Sequence, residues 1–170
     1  TTRVSLLSSP LRSRFSGGTY RLQFYTLEEL AKIVMRSSET LGANINMEAA
    51  LEIAKRSRYT PRIANFYLKR ARDYAEVSGV PLNLDTVRTA LETLEIDEHG
   101  LGHSEREYLS ELMDKFDGGP VGLSTLAATL SEEDNTLEDV IEPYLLQMGL
   151  IEKTTRGRML TEQGKKHVAG

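Results

Sequence analysis

The chain has 170 residues, of which 39% are hydrophobic and 27% charged, a balance typical of a folded globular protein. The absence of cysteine excludes disulfides and thiolate metal sites. No apolar run has the length that a bilayer requires, and the first residues lack the charged-then-apolar pattern of a secretion signal. We therefore expect a cytoplasmic protein.

Charge is distributed unevenly along the chain. Residues 1–80 carry 13 Lys and Arg against 7 Asp and Glu, whereas residues 81–170 carry 8 against 18. The net charge of −4 argues weakly against a nucleic-acid partner, but residues 151–170 are basic again. The difference between the two halves indicates two structural units.

Residues 1–25 have the character of an incomplete unit. Ser16–Gly18 predicts a turn, and Tyr20–Phe24 alternates like a short strand. A strand needs neighbours with which to pair, and the following sequence offers none nearby. We therefore expect this segment to be the edge of a larger domain whose main part precedes residue 1.

Four short helices are predicted between residues 26 and 96. The first and third helices begin with capping patterns at Thr26 and Thr60. The second and fourth begin near Asn46 and Asp85. Each carries an apolar stripe on one face, and four such helices can bury one small core. A polar connector over 96–104 follows, so the expected domains are 1–25, 26–96 and 97–170.

The second unit has the element order of a winged helix, which is three helices followed by a β-hairpin. The helices are predicted over 104–116, 123–130 and 136–148, and the hairpin over 150–161. A closing helix is predicted from Glu162. The expected fold class is mainly α, with a small four-helix domain followed by a winged-helix domain with a β-hairpin wing.

The sequence lacks the parts of a nucleotide hydrolase. The Gly-x-x-x-x-Gly-Lys-[Ser/Thr] loop that cradles phosphates is absent, because Gly164–Lys166 has no glycine five places earlier. No predicted strand ends in an acidic pair suited to Mg²⁺, and no Ser/His/Asp set stands out. We therefore expect this chain alone to hydrolyse no ATP.

Arg12 and Arg14 lie close together near the start of the chain. As a bare pattern they favour a solvated loop. The alternative is an arginine finger, a planar and always charged group that one subunit supplies to the γ-phosphate bound by another.

Arg62 follows Thr60–Pro61 in the first turn of a predicted helix, where the helix dipole disfavours a cation. An exposed arginine beside a carboxylate is the simpler interpretation. The alternative is an anion held jointly by the helix N-terminus and the arginine.

The predicted hairpin is basic within an acidic region. Lys153, Arg156 and Arg158 surround Gly157, either as a solubilising loop or as a wing that contacts phosphates. The preceding helix is lined with acidic residues and should be repelled from DNA. We therefore expect the wing, rather than that helix, to contact the DNA backbone without reading sequence.

His99 and His103 are four residues apart, a helical spacing that can bind zinc. However, Gly100 and Gly102 lie between them, and no third ligand is evident. No metal site is expected.

Taken together, these segments resemble the RuvB family far more specifically than any one of them does alone. The resemblance covers essentially the whole chain in the family's order. Residues 1–15 resemble the family's stretch that ends at the arginine finger, and residues 55–65 resemble its sensor 2 motif. Two winged-helix signatures correspond to residues 118–123 and 142–147, and the wing corresponds to residues 155–158. RuvB proteins are AAA+ ATPases that form hexameric rings around DNA and move Holliday junctions. The resemblance therefore implies an AAA+ lid followed by a winged helix.

The resemblance also implies individual roles at the nucleotide. Thr2 corresponds to the sensor 1 residue, and Arg14 to an arginine finger acting on a neighbouring subunit's nucleotide. Tyr25 corresponds to a wall of the nucleotide pocket, and Arg62 to the sensor 2 arginine. The family's Walker A and Walker B motifs would lie upstream, so the intact protein would be an ATP-dependent DNA translocase using ATP or ADP with Mg²⁺.

In the wing, the resemblance assigns Lys153, Arg156 and Arg158 to DNA. It implies Holliday-junction arms, further copies of the same chain, RuvA and RuvC as partners, with the RuvA site outside this chain. The sequence departs from the family pattern in a longer turn at 16–19, in Tyr59 where glycine is frequent, in Lys153 where arginine is frequent, and in Asp134 where arginine is frequent.

Two other interpretations remain open at this stage. A winged-helix transcription regulator with a helical dimerisation domain would account for residues 104–170, but it leaves Arg14 and Arg62 without a role. Such a regulator would read one DNA sequence through its third helix. A winged helix that binds protein alone would show no salt-sensitive DNA binding.

Overall fold

The structure, a computed structural model, describes residues 8–14, 20 and 22–169. Thr2 and the turn at 16–19 lie outside these residues. Ser9–Arg14 form a short helix, α1. Residues 20 and 22–26 form neither helix nor strand, so the strand predicted at Tyr20–Phe24 is absent from the described residues. The physical reason is that the described part of the chain offers this segment no partner strand.

The four predicted helices of the first domain are confirmed. They are α2 (Leu27–Thr40), α3 (Met47–Arg56), α4 (Pro61–Ser78) and α5 (Leu84–Thr93). The capping box at the start of α2 is also present. The Thr26 amide donates to Glu29 Oε2 at 2.9 Å, and the Glu29 amide donates to Thr26 Oγ1 at 3.2 Å.

Small side chains dominate the core of this helical domain. The buried residues from the four helices are Leu30, Ala31, Val34, Ala49, Ala50, Ile53, Ala54, Ala64, Tyr67, Leu68, Ala71, Val87, Ala90 and Leu91. The many alanines allow the helices to approach closely, and the few large side chains fill the remaining space. The start of α4, which carries Arg62, is therefore fixed to a well-packed body.

The second domain is a winged helix with its own core. Its helices are α6 (His103–Asp114), α7 (Leu123–Leu130), α8 (Asp134–Thr136), α9 (Glu142–Gln147) and α10 (Glu162–Ala169). A π-helical turn over Leu137–Ile141 joins α8 to α9, so residues 134–147 form one helical segment. Its core includes Leu101, Tyr108, Leu109, Leu112, Leu126, Leu137, Leu145, Leu150 and Leu160.

The predicted hairpin is formed by β1 (Ile151–Thr154) and β2 (Gly157–Leu160), which pair antiparallel. Lys153 lies opposite Arg158 in the register, so their side chains share one face of the hairpin. Val121 adds a third, very short strand by exchanging two backbone hydrogen bonds with Arg158. Gly157 has φ +137°, and a Cβ there would collide with the Val121 carbonyl.

No helix within residues 8–14, 20 and 22–169 is long and apolar enough to cross a membrane.

Candidate nucleotide-sensing and DNA-contact sites

Arg62 lies in the first turn of α4, with an exposed side chain. Thr60 occupies the N-cap position, but its hydroxyl donates to the Arg58 carbonyl at 3.0 Å and caps no helix amide. Within the described residues, no carboxylate lies within ion-pairing distance of Arg62. An uncapped helix start and an unpaired guanidinium are thus presented together, as an anion site requires.

The turn that leads into α4 has an uncommon backbone. Arg58 and Tyr59 adopt left-handed conformations, with φ of 52° and 54°, which cost a non-glycine residue roughly 1–2 kcal/mol. Tyr59 packs partly against the core of the helical domain. Glycine would adopt this conformation at little cost, whereas Tyr59 adopts it with a full side chain.

Tyr25 is 45% exposed and directly precedes the N-cap of α2. The ring of its neighbour, Phe24, lies 6.3 Å from the ring of Tyr59. The structure thus brings the segment that contains Tyr25 next to the turn that leads to Arg62. Arg14 is the last residue of α1 and is also exposed. Within the described residues, it has no hydrogen bond or ion pair with this surface.

Arg58, in the turn before α4, reaches across to the winged helix. Its Nε donates to the Gly100 carbonyl at 2.9 Å, and its Nη1 pairs with Glu105 Oε1 at 2.8 Å. Its guanidinium also lies 4.9 Å from the centre of the Tyr144 ring, a cation–π distance. Because the side chains of Arg58 and Glu105 are only 19% and 8% exposed, this ion pair is shielded from solvent.

Tyr144 holds the connector between the domains beside the point that Arg58 holds. The Tyr144 hydroxyl donates to the His99 carbonyl at 2.8 Å, and burial raises the pKa of Tyr144 to about 12, against the opposing charge of Arg58. The hydroxyl therefore stays protonated and donates at neutral pH. We call Arg58, Glu105 and Tyr144, with the carbonyls of His99 and Gly100, the interdomain joint.

Arg56 holds the other face of the connector. Its Nη1 donates to the Ile96 carbonyl at 3.1 Å, while its Nε and Nη2 bind Glu52 Oε1 at 2.9 and 2.6 Å. Gly100 passes so close that a Cβ at its φ of +77° would collide with the Arg56 carbonyl. The chain between the two domains is therefore pressed against the end of α3.

In the wing, two of the three predicted DNA-binding cations are engaged with carboxylates. Arg158 Nε and Nη2 bind Glu142 Oε1 and Glu138 Oε1 at 2.9 and 2.7 Å. Lys153 Nζ lies 2.6 Å from Glu142 Oε2 and 3.3 Å from Glu138 Oε1. The two cations and two carboxylates thus form a compact cluster, which we call the wing cluster, at the base of the hairpin.

Glu142 is the buried centre of the wing cluster, with no exposed surface. Burial alone would raise the pKa of Glu142, but hydrogen bonds from Arg158 and Lys153 outweigh it and hold the pKa below its ordinary value. Tyr108, also fully buried, donates its hydroxyl to Glu142 Oε1 at 3.1 Å. Burial, followed by the charge of Glu142, raises the pKa of Tyr108 well above its ordinary value.

Arg156 differs from its two neighbours in the wing. It lies in the turn between β1 and β2, its side chain is exposed, and no carboxylate among the described residues pairs with it. The Arg156 amide N–H donates a hydrogen bond to Thr154 Oγ1 at 3.2 Å, which fixes the backbone of the turn. The net positive charge of the wing is therefore concentrated at Arg156.

The wing cluster also explains part of the acidic helix that precedes the hairpin. Glu138 and Glu142 turn toward Lys153 and Arg158. Asp134 Oδ2 accepts a hydrogen bond from Ser124 at 2.6 Å. These carboxylates shape the domain internally, so part of the acidic pattern has a structural cause.

Both domains have close relatives among known proteins. Residues 25–97 match the family model described as the RuvB AAA lid domain, and residues 98–169 match the one described as the RuvB C-terminal winged helix domain. The chain carries the lid and winged-helix domains of the RuvB family. The resemblance stated from the sequence is thereby confirmed, and so is the fold class, an AAA lid followed by a winged helix.

Solved structures agree with the family models. The Thermotoga maritima RuvB Holliday junction branch migration motor is 47% identical, with a TM-score of 0.89 over 99% of this chain and 56% of that chain. A point mutant of the same protein is 48% identical, with a TM-score of 0.90 over 99% of this chain and 56% of that chain. This chain thus spans little more than half of those RuvB proteins.

Sequence reasoning missed two features of this RuvB segment. It identified no partner for Arg58, which pairs with Glu105, 47 residues along the chain. It also paired His99 with His103. The structure instead places His103 beside Glu95 and Glu107, and brings His99 to His167, with ring centres 4.9 Å apart. The basic cluster at 55–62 could have drawn attention to Arg58. No local sequence feature indicated that His167 lies beside His99.

Proposed function

We propose that this chain is the nucleotide-sensing and DNA-gripping part of an ATP-driven motor that translocates DNA and moves Holliday junctions. The observation that carries the proposal is the interdomain joint. Arg58 fastens the winged helix to the turn that sets the start of α4, and that turn stands four residues before Arg62. A displacement of the sensor helix therefore acts directly on the DNA-contacting domain.

At the nucleotide end, Arg62 would contact the γ-phosphate, with Tyr25 as a wall of the pocket. The residues present fit such a group, because Arg62 is exposed, unpaired in the described chain and set at an uncapped helix start. Bound ATP with Mg²⁺ supplies the free energy of hydrolysis in the complete protein. Thr2 as sensor 1 and Arg14 as an arginine finger toward a neighbouring subunit remain parts of this proposal.

At the DNA end, Arg156 would make the leading phosphate contact. Lys153 and Arg158 would support it by fixing the base of the hairpin and by adding positive potential, and Lys153 is also accessible, with 39% of its side chain exposed. Contact with phosphates carries no sequence information. A motor that must pass over any sequence needs this type of contact.

The joint makes the two ends one mechanical unit. The two carbonyl hydrogen bonds hold the connector that joins the domains. The ion pair and the cation–π contact bind Arg58 to the winged helix itself, at Glu105 and Tyr144. Rotation of the lid around bound nucleotide would then swing the wing and pull on the DNA backbone. Further copies in a hexameric ring, and the family's partners RuvA and RuvC, belong to the complete motor.

The test uses the complete protein that contains this segment. Arg62→Ala is expected to abolish ATP-driven branch migration, because the lid no longer responds to the γ-phosphate. Arg70→Ala, on the same helix and paired at the surface with Asp73, is the matched control and should retain activity. Normal branch migration by Arg62→Ala would overturn the proposed sensing role.

A second variant tests the coupling itself. Arg58→Ala is expected to retain nucleotide binding while branch migration per ATP hydrolysed falls, because the wing no longer follows the lid. A variant that hydrolyses ATP and moves junctions with unchanged efficiency would show that the joint transmits nothing.

A further inference from the structure

Three side chains of types that ligate metals, two from the interdomain connector and one from near the end of the chain, meet beside one another. Asp97 and His99 lie in the connector itself, and His167 lies in α10 near the end of the chain. One ligand atom from each lies within 4.8 Å of the other two. The rings of His99 and His167 meet edge to face at 84°. This cluster is separate from both Arg62 and the wing.

The two oxygens of Asp97 have different surroundings. Oδ1 accepts the amides of His99 and Leu101 at 2.9 and 2.8 Å, which shapes the connector. Oδ2 points to His167, with its Nε2 at 3.3 Å. The carboxylate is therefore held by its own loop in a fixed orientation, with one oxygen directed into the cluster.

His99 carries a ring nitrogen that lacks a hydrogen-bond partner. Its Nδ1 is buried and makes no hydrogen bond, although the imidazole as a whole is 38% exposed. A buried ring nitrogen without a partner is uncommon in proteins, because desolvation of a polar atom is normally offset by a hydrogen bond. The Glu98 carboxylate lies 3.8 Å from this nitrogen and adds negative charge beside it.

We propose that Asp97, His99 and His167 form a binding site for a divalent transition-metal ion, with zinc as the best-fitting case. Two imidazoles and one carboxylate are ligands that Zn²⁺ takes, with water or a further carboxylate such as Glu98 in the fourth position. Tetrahedral bonds of about 2.0–2.1 Å separate ligand atoms by about 3.3 Å. The Asp97–His167 pair already has this separation, and the ligand atom of His99 lies within 4.8 Å of both.

The position of the site gives it a structural consequence. The carbonyls of His99 and Gly100 are the groups that Tyr144 and Arg58 bind in the interdomain joint. A metal ion would tie this connector to α10 of the winged helix. Metal binding therefore stiffens the joint, and binding free energy appears as stability of the folded chain.

The inference is tested by zinc titration of the chain after removal of metals with a chelator. Calorimetry is expected to show one Zn²⁺ bound per chain, and the Tm should rise on zinc addition. His99→Gln removes one ligand while its backbone contacts remain, so it should weaken the zinc affinity roughly tenfold or more, by analogy with the effect of outer-shell changes. His103→Gln, which alters a 71% exposed histidine outside the cluster, is the matched control and should bind as the wild type does.

Cobalt gives a second readout that does not depend on stability. Co²⁺ bound through His99, His167 and Asp97 should show the visible absorption of a four-coordinate site, and His167→Asn should remove it. Absence of saturable zinc binding by the wild-type chain would overturn the proposal. Equal binding by wild type and His99→Gln would overturn it as well, because the three side chains would then form only a structural contact.

Discussion

The segment around the start of α4 (residues 55–62) and the wing (residues 151–160) have the same arrangement of arginines, although they belong to different domains. Each contains an arginine fixed by a buried carboxylate, Arg58 by Glu105 and Arg158 by Glu142. Each also presents an exposed arginine without a carboxylate partner in the described chain, Arg62 and Arg156. The fixed arginine sets the geometry, and the exposed one is available to an anion.

The fixed arginine and the exposed arginine of each region differ in burial rather than in their sequence surroundings. Basic clusters look alike along the chain, but a buried carboxylate must be paired, since an uncompensated buried charge is costly. Glu105 and Glu142 therefore each capture a nearby arginine. The comparison predicts that variants of the fixed arginines and their partners lower stability, whereas variants of the exposed arginines affect ligand contact alone.

The largest effect is expected from Glu142→Gln. It removes the charge that faces both Arg158 and Lys153, and breaking a buried ion pair in this way costs about 3–5 kcal/mol in the free energy of unfolding. Urea denaturation at neutral pH measures this loss. Glu132→Gln, at an exposed position nearby, is the control and should change stability little. Equal stability of the two variants would show that the wing cluster contributes nothing.

The same carboxylate predicts a pH dependence. Because the folded-state pKa of Glu142 lies below its ordinary value of 4.5, its contribution is complete above pH 4.5 and is lost as the pH falls through the lowered value. The stability difference between wild type and Glu142→Gln should therefore shrink progressively at acid pH. Denaturation curves between pH 7 and pH 3 test this, and a difference that stays constant would contradict it.

Arg58→Ala ranks next. It leaves Glu105 buried without its cation and removes the contact to Tyr144, which should cost about 3 kcal/mol and separate the unfolding of the two domains. Calorimetry is expected to resolve two transitions where the wild type shows one. Arg36→Ala, in an exposed position on α2, should leave a single transition. A single transition in Arg58→Ala would indicate that the domains are coupled by other contacts.

The smallest effect on stability is expected from Arg62→Ala. It removes a cation from a helix N-terminus, where the dipole disfavours positive charge, so the Tm should stay the same or rise slightly. A clear fall in the Tm would mean that Arg62 has a structural role, as Arg58 does, and is not free to bind an anion.

Much of the fold could be predicted because its signals are local. The capping box at Thr26, the helix starts and the order of helices and hairpin depend on residues close in sequence. The strand predicted at Tyr20–Phe24 was wrong within the described residues, since alternation alone does not supply a partner strand. The π-helical turn at Leu137–Ile141 gave no signal that periodicity can detect.

The site was only partly predictable for a related reason. Arg62 and Arg156 could be singled out from helix and hairpin positions. The partners of Arg58 and Arg158 lie 47 and 16 residues away, so the sequence could not show which cations were already neutralised. The pairing of His99 with His167 depends on tertiary packing in the same way.

In the proposed function, Arg156 carries the wing's contact with DNA while its neighbours hold the wing in place. The most direct test measures binding to duplexes of unrelated sequence over a range of salt concentrations. The wild-type chain should bind each duplex with similar, salt-sensitive affinity. Arg156→Ala should lower the slope of log affinity against log salt by about one, with stability within about 0.5 kcal/mol of wild type. An unchanged slope, or tight binding to one particular sequence, would contradict the account.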